Sequence, residues 1–297
     1  MSQYPPLYPP WYPTADPIPA VTERLLVNGV DLGSYAFMTS DISGLLSVPA
    51  RRGEDVVVAG RHGRIRIPRK RYDAGEIVLP MWVVGCYPDG TVPSGSGGMA
   101  REFWNNRDEL LRLFHGDDVE LEFTRADGVT STTTVEVVDV MDFTRRYAEP
   151  MAQVSVALRL ADPFWSEAVD VSQTITGTTG TTATLTAFVG STAPIADARI
   201  TFFGSVSNPR LTIGDRWVEY RGVIGSGRQL VLECEHWRAS AGTGAAWSPS
   251  PLQVYREPGP AWLEIPPSAV PLTVTFAHTG GGSASVEIAG RRKYLSP

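Results

Sequence analysis

The sequence predicts a mainly β protein in two parts: an N-terminal β-sandwich or split-barrel-like unit with one α-helix, and a C-terminal antiparallel β-sandwich. Three observations predict this fold class. Short runs of alternating apolar and polar residues recur along the chain, Gly and Pro supply 29 and 24 of the 297 residues, and clear helical spacing occurs over a single stretch. Many short strands separated by turn residues are typical of sandwiches and barrels.

The boundary between the two parts is predicted at residues 158–165, which read Leu-Arg-Leu-Ala-Asp-Pro-Phe-Trp. The strand pattern ends at Asp162-Pro163, because proline lacks an amide hydrogen and disfavours helix at the preceding residue. Phe164 and Trp165 then precede a segment rich in Ser, Thr and Gly, which indicates an anchored hinge. The predicted organisation is an arm over residues 1–19, a first domain over 20–165 and a second domain over 166–297.

The first 19 residues are rich in proline and aromatic side chains, a composition that favours polyproline II over helix or central strand. Two interpretations fit this arm. It is either a disordered leader or a segment that lies on a neighbouring subunit. The second interpretation accounts for aromatic side chains that are costly to expose to water, and its predicted subunit contacts are Tyr8 and Trp11.

Strand patterns dominate the next part of the chain. Asn28-Gly29 predicts a tight hairpin, because both residues tolerate the positive φ that such a turn needs. Residues 61–71 are basic and invite a nucleic-acid interpretation. The alternation around Arg64, Arg66 and Arg69 instead favours a half-buried strand whose charged face is solvated or contacts another subunit. The apolar run 77–84 predicts a buried central strand.

The helix is predicted over Met99–Phe114, where apolar residues recur at near-helical spacing opposite a charged face. Gly116 is the expected C-terminal cap, and His115 is expected in the last turn. A second hairpin is predicted to turn at Asp127-Gly128. Further on, residues 174–189 predict a threonine-rich strand pair, and regularly spaced strands up to residue 288 predict a sandwich or jelly roll.

Composition excludes several function classes. The net charge of −6 has no basic tail or patch that predicts specific nucleic-acid binding. Cys86 and Cys234 are too few for a disulfide framework and are expected to be buried thiols. The chain shows neither a membrane-spanning run nor a secretory leader. An acidic cluster near residue 120 lacks the spacing of a calcium loop, so no metal or cofactor is predicted.

Catalytic motifs are not found either. The four histidines are scattered, and the sequence contains no Gly-x-Ser-x-Gly elbow and no phosphate-binding loop. Glu233 and Glu235 flank Cys234 beside His236, which raises the possibility of a glycosidase pair or a thiol–histidine couple. Alternation places both glutamates on one outer strand face, so a polar surface is the better interpretation. The chain is predicted not to be an enzyme.

Short motifs in a fixed order resemble the distal tail proteins of long-tailed bacteriophages, a phage tail or minor tail protein family. The resemblance covers about residues 20–297. It depends on Asn28–Gly33, on the single helix, on the Leu158–Trp165 stretch, on Gly259–Pro267, and on Arg291–Leu295 after a Gly-rich turn. The proline-rich arm has no counterpart in the family pattern.

The resemblance implies a structural, non-enzymatic role. It implies a hexameric ring at the distal end of the tail tube, built by the first domain, with a galectin-like second domain that points outward. The implied partners are further copies of the chain, the tail tube protein, the tail hub protein and fibre or receptor-binding proteins. The implied location is the virion tail tip, after synthesis in the cytoplasm of the host bacterium.

A carbohydrate-binding module for attachment to the host surface is the alternative function. The second domain contains several Trp and Tyr residues, and sugar rings stack on exposed aromatic faces. Large aromatic side chains also serve as core or interface residues, so this pattern fits both functions. The candidate contacts for a cell-wall glycan or a protein partner are Trp237 and Trp247.

Overall fold

A computed structural model describes residues 23–53, 71–139, 141–242, 247–256, 258–259, 261–280 and 283–297. The described part of the chain is mainly β: 46% of its residues lie in strands and 8% in helices, and it contains one α-helix. The predicted fold class is confirmed. No helix in these ranges is long and apolar enough to cross a membrane.

The first unit is a nearly closed antiparallel sheet with one helix, α1 (Gly98–Leu113). Its main strands follow the order β2-β1-β7-β8-β10-β6-β3. The Thr39 amide donates to the carbonyl of Leu32 at 3.1 Å, which brings the last strand of this order back towards the first. The strands are β1 (Arg24–Val27), β2 (Val30–Asp31), β3 (Phe37–Thr39), β4 (Arg51–Arg52), β5 (Arg71–Tyr72), β6 (Glu76–Val84), β7 (Val119–Thr124), β8 (Thr130–Val137), β9 (Asp142–Thr144), β10 (Met151–Leu160) and β11 (Trp165–Glu167).

Both predicted hairpins form, with different turns. Asn28 and Gly29 adopt φ of 48° and 81°, and Val27 pairs with Val30, so the two-residue turn is confirmed. The hairpin between β7 and β8 has a longer turn. Gly128 has a φ of 84°, whereas Asp127 is not in the positive-φ region, and the Arg125 amide donates to the Val129 carbonyl.

Strand β6 is central in the sheet, as predicted, but only one of its faces is buried. It lies between β10 and β3, and its residues alternate between buried and more exposed positions. Leu79 and Met81 are fully buried, whereas Val78 is 54% exposed. The predicted central strand is therefore buried mainly on its inner face, because the curved sheet covers that face and leaves the other more exposed.

Helix α1 packs on the sheet through a close backbone approach at Gly85. A Cβ atom at this position would lie 2.1 Å from the carbonyl oxygen of Met99, so only glycine fits there. The helix begins and ends one residue earlier than predicted. It ends at Leu113 with Phe114 as its cap, so neither Gly116 nor His115 has the predicted role.

The second unit is a sandwich of two antiparallel sheets, with strand orders β12-β22-β14-β18-β19 and β13-β21-β15-β16-β20; β17 pairs with β15. The strands are β12 (Val171–Gly177), β13 (Thr181–Leu185), β14 (Arg199–Phe203), β15 (Val206–Ile213), β16 (Arg216–Tyr220), β17 (Val223–Ile224), β18 (Gln229–Glu233), β19 (Arg238–Ala241), β20 (Val254–Arg256), β21 (Leu272–Thr279) and β22 (Ala284–Gly290). A 3₁₀ turn, Pro251–Gln253, precedes β20.

The predicted pairing of the threonine-rich strands is wrong. Strand β12 pairs with β22, and β13 pairs with β21, so these consecutive strands belong to opposite sheets. Gly177 and Gly180 allow this crossing. A Cβ on Gly177 would lie 2.0 Å from the Thr181 hydroxyl, and Gly180 has a φ of 80°.

The described residues form two separate hydrophobic cores. The first is centred on side chains such as Leu79, Phe103 and Trp165, and the second on Phe202 and Phe276. A last strand, β23 (Lys293–Tyr294), returns from the second unit and pairs with β11. Tyr294 packs in the first core, so the C-terminal segment connects the two units. The exact domain bounds remain a prediction.

Candidate assembly surfaces

The predicted subunit contacts Tyr8, Trp11, Arg64, Arg66 and Arg69 lie outside the described residues, so their role stays a prediction. The last residue of the basic run, Arg71, is described. Strands β4 and β5 form a separate two-stranded sheet, in which Arg71 pairs with Arg52. The Arg71 guanidinium lies 3.0 Å from the carboxylate of Glu264 in the second unit. One end of this basic run therefore contributes to contacts within the chain.

The two candidate glycan contacts have different surroundings in the second unit. Trp247 is half-buried, packs against the second core and lies edge-on to Tyr220. Trp237 is 42% exposed, and the Arg256 guanidinium lies 3.7 Å from its ring centroid. Arginine therefore covers one face of the exposed ring, and glycan binding by either residue stays a prediction.

Both cysteines are buried, as predicted. Burial raises the pKa of Cys86 to about 11 and that of Cys234 to about 12, so both are thiols at neutral pH. Glu235 and His236 are exposed and the Cys234 side chain points into the core. This geometry gives no thiol–histidine couple. The described residues also contain no group of three or more His, Cys, Asp or Glu side chains arranged to hold a metal ion.

The junction between the two units contains an ionic cluster around Lys293. Its ammonium lies 3.1 Å from the carboxylate of Asp162 and 2.9 Å from that of Asp197, so it bridges the first unit to the second. The Lys293 side chain is 8% exposed. Burial alone would lower its pKa, but the two carboxylates outweigh burial and raise the pKa above its ordinary value.

Two further pairs reinforce this junction. The Arg292 guanidinium lies 3.2 Å from the carboxylate of Glu167, and the Tyr294 hydroxyl donates to the same carboxylate at 3.3 Å. Burial, followed by the charge of Glu167, raises the pKa of Tyr294. We call residues 292–294, with their partners Asp162, Glu167 and Asp197, the junction clasp.

The clasp predicts a loss of stability at alkaline pH. Lys293 and Tyr294 both have raised pKa values in the folded state. Their contributions are therefore complete at pH values below the ordinary pKa values of about 10, and they are lost as the pH rises through the raised folded-state pKa values. The chain contains one other lysine, Lys70, so Lys293→Met is an informative comparison. Melting temperatures measured from pH 8 to 11 should fall more steeply for the native chain than for this variant.

At pH 8, Lys293→Met should cost about 1–3 kcal/mol, because it removes charge-assisted hydrogen bonds from carboxylates that are partly solvated. Arg291→Met is the matched control, since the Arg291–Asp170 pair is mostly exposed. Parallel melting curves for the native chain and Lys293→Met across this pH range would contradict the role of the clasp.

A cationic and aromatic surface lies on the outer side of α1, and sequence patterns did not identify it. Trp104 is 48% exposed, and the guanidinium groups of Arg107 and Arg145 lie 5.4 and 5.1 Å from its ring centroid. Nearby in sequence, Tyr147 is fully exposed and Ala148 has a φ of 63°. An exposed tryptophan on the charged face of the predicted helix is the signal in the sequence for this surface.

Comparisons with known proteins identify the fold. No protein-family model matches the chain, and no curated protein matches it. The structure is similar to that of the Dit protein of phage SPP1, described as a paradigm of the hub adsorption apparatus of phages that infect Gram-positive bacteria. The TM-score is 0.60 at 17% identity, and the match covers 91% of this chain and 98% of the SPP1 chain.

Weaker matches come from the phage P2 baseplate in its activated conformation, with calcium and with strontium. Both have a TM-score of 0.39 and 7% identity over 90% of this chain. They cover 97% and 98% of the baseplate chains. The SPP1 comparison alone establishes the architecture: the chain has the fold of the SPP1 Dit protein, a phage distal tail protein, over nearly its whole length.

Proposed function

We propose that this chain is a structural, non-enzymatic protein of a long-tailed phage virion that forms a hexameric ring at the distal end of the tail tube. The observation that carries the proposal is the near-complete overlap with the SPP1 hub protein, which includes both units and 98% of that chain. Two such units in the same order are what a tail-tip connector needs, one to close a ring and one to receive partners.

The proposed mechanism is geometric. The first unit forms a heterologous interface with the next copy, since such contacts close into a ring when six rotations complete a turn. Tyr8 and Trp11 of the arm, together with Arg64, Arg66 and Arg69, are proposed to lie at this interface. The ring binds the tail tube protein on one side and the tail hub protein on the other, and it leaves a channel for DNA.

The second unit is proposed to hold fibre or receptor-binding proteins. Charge contacts within the chain support a defined orientation for it, because the junction clasp and the Arg71–Glu264 pair both link it to the first unit. The virion tail tip is the proposed location, after synthesis in the cytoplasm of the host bacterium.

The ring predicts a defined solution mass. Size-exclusion chromatography with light scattering should give a species six times the 32.2 kDa mass of the chain, and electron microscopy of that peak should show hollow six-membered rings. Replacing Arg64, Arg66 and Arg69 together by Glu should shift the equilibrium towards monomer, because like charges across a contact weaken association.

A matched triple reversal at exposed arginines of the second unit is the control for net charge, and it should leave the ring intact: Arg199, Arg221 and Arg228. A native chain that remains monomeric both alone and with its tail tube partner would overturn the proposed ring.

A further inference from the structure

An apolar groove on the first unit has no occupant among the described residues. It has a volume of about 640 Å³, within the range of roughly 300–1,000 Å³ typical of binding sites. Its accessible lining is mostly apolar and comes from β1, β7 and the loops after β2, β3 and β6. Leu25, Leu32 and Phe123 form its buried floor, and Tyr35, Ile42 and Pro88 line its more exposed part. We call this the β1–β7 groove.

The groove suits an uncharged occupant. Three of its twelve lining residues are charged, Glu23, Arg24 and Asp31, and the Arg24 guanidinium lies 3.1 Å from the Asp31 carboxylate. Grooves lined by aromatic and proline side chains bind Pro-rich segments, because the polyproline II conformation is already ordered before binding and costs little entropy. Tyr35 and Pro88 supply side chains of this kind.

The chain itself contains a matching segment outside the described residues. Residues 4–13 read Tyr-Pro-Pro-Leu-Tyr-Pro-Pro-Trp-Tyr-Pro and carry no charged side chain. Tyr8 and Trp11 are three residues apart, the spacing that puts two side chains on one face of a polyproline II helix wherever such a helix forms. We call residues 4–13 the Tyr/Pro segment.

Residues 14–22 connect the Tyr/Pro segment to Glu23. Glu23 is the first described residue and lines the groove itself. Residues 13 to 22 can span at most about 30 Å when extended, because an extended chain rises about 3.1–3.4 Å per residue. The Tyr/Pro segment is therefore joined to Glu23 by a length of chain that can reach a neighbouring copy.

We infer that the β1–β7 groove binds the Tyr/Pro segment of a second copy of this chain. This inference rests on the proposed ring, and it names the partner and the site of one contact between neighbouring subunits. Each copy then gives one arm and receives another, which is the heterologous pattern that a closed ring requires. Tyr8 and Trp11 occupy the groove, with their polar atoms at its rim.

Disulfide trapping in the full-length chain tests this inference. Ser34 lines the groove and is half-buried, so Ser34→Cys is combined with Trp11→Cys or, separately, with Tyr8→Cys. The native cysteines are buried and do not compete. Under mild oxidation, the yield of intermolecular disulfide should exceed that of a control pair by about tenfold, because docking raises the effective concentration of the two thiols.

The control pairs each arm cysteine with Ser226→Cys, an exposed turn position in the second unit. Circular dichroism confirms that each variant folds. A yield no higher than in this control, from both arm positions, overturns the inference. A disulfide formed within a single chain also overturns it, because the segment then occupies its own groove.

Electron microscopy of the same reduced variants separates this inference from the proposed function. Six-membered rings without a trapped contact leave the proposed function intact and overturn the groove as its arm site. Efficient trapping between copies that form no six-membered ring supports the groove and contradicts the hexamer.

Discussion

Trp165→Ala is expected to destabilise the first unit by about 3–5 kcal/mol, the range for removing a large aromatic side chain from a core. Trp165 is 1% exposed and packs in the first core. It also pairs with Tyr294 in the strand that returns from the second unit, so the cavity lies where the two units join. Urea denaturation followed by far-UV circular dichroism measures the loss independently of tryptophan fluorescence.

Trp104→Ala is the matched control for this substitution. The same atoms are removed from the same unit, but the Trp104 ring is 48% exposed and packs against arginine side chains. Its loss should cost about 1 kcal/mol or less, the value of an exposed cation–π contact. Equal costs at the two positions would show that Trp165 does not anchor the junction.

Local chemistry in the sequence predicts the elements whose geometry depends on neighbouring residues. Asn28-Gly29 forms the expected tight turn, because both residues tolerate positive φ. The apolar spacing around Phe103 and Leu110 predicts α1 to within one residue at each end. The termination of β10 before Asp162-Pro163 is also predicted, and the strand ends at Leu160. The mainly β class follows from the number of such elements.

Long-range pairing is what the sequence does not specify. The threonine-rich strands β12 and β13 are consecutive and similar in composition, yet each finds its partner in a different sheet. The continuous apolar run in β6 does not reveal that the outer face of Val78 is exposed, because that depends on sheet curvature. The pairing of β23 with β11 joins Trp165 to Tyr294, which are separated in the sequence by almost the whole second unit.

Surface sites are predicted less well than the core, because their residues have no characteristic spacing. Trp237 and Trp247 are equivalent in the sequence, but one is exposed beside Arg256 and the other packs against the core. The aromatic surface around Trp104 depends on Arg145, which comes from a distant loop. Lys293 is identifiable as one of two lysines, but its two carboxylate partners are not.

The junction clasp gives the proposed ring a physical connection to its outward unit. A flexible linker would let the second unit sample many orientations, and each bound fibre protein would lose binding energy to ordering that unit. The paired strands β11 and β23 and the charges around Lys293 fix the orientation before any partner binds.

Asn106→Asp is expected to lower the free energy of unfolding by about 3–5 kcal/mol. This is a large effect, because the substitution only replaces an amide NH₂ group by an oxygen atom of similar size. Asn106 is 4% exposed on the inner face of α1, and its amide nitrogen donates to the carbonyl oxygens of Val84 at 2.7 Å and Cys86 at 2.8 Å. An aspartate places a carboxylate oxygen against these two carbonyls. Both acceptors lose their donor, and a buried charge is left without a partner.

Asn105→Asp is the matched control, because this neighbouring residue is exposed and its amide donates to the solvated carboxylate of Glu102. The control should cost about 0.5 kcal/mol, as expected for one like-charge pair on a helix surface. Both variants are compared by urea denaturation at pH 7 and at pH 4. The cost of Asn106→Asp should shrink at pH 4, where the protonated carboxyl can donate one hydrogen bond; a cost independent of pH would mean that helix docking does not depend on this amide.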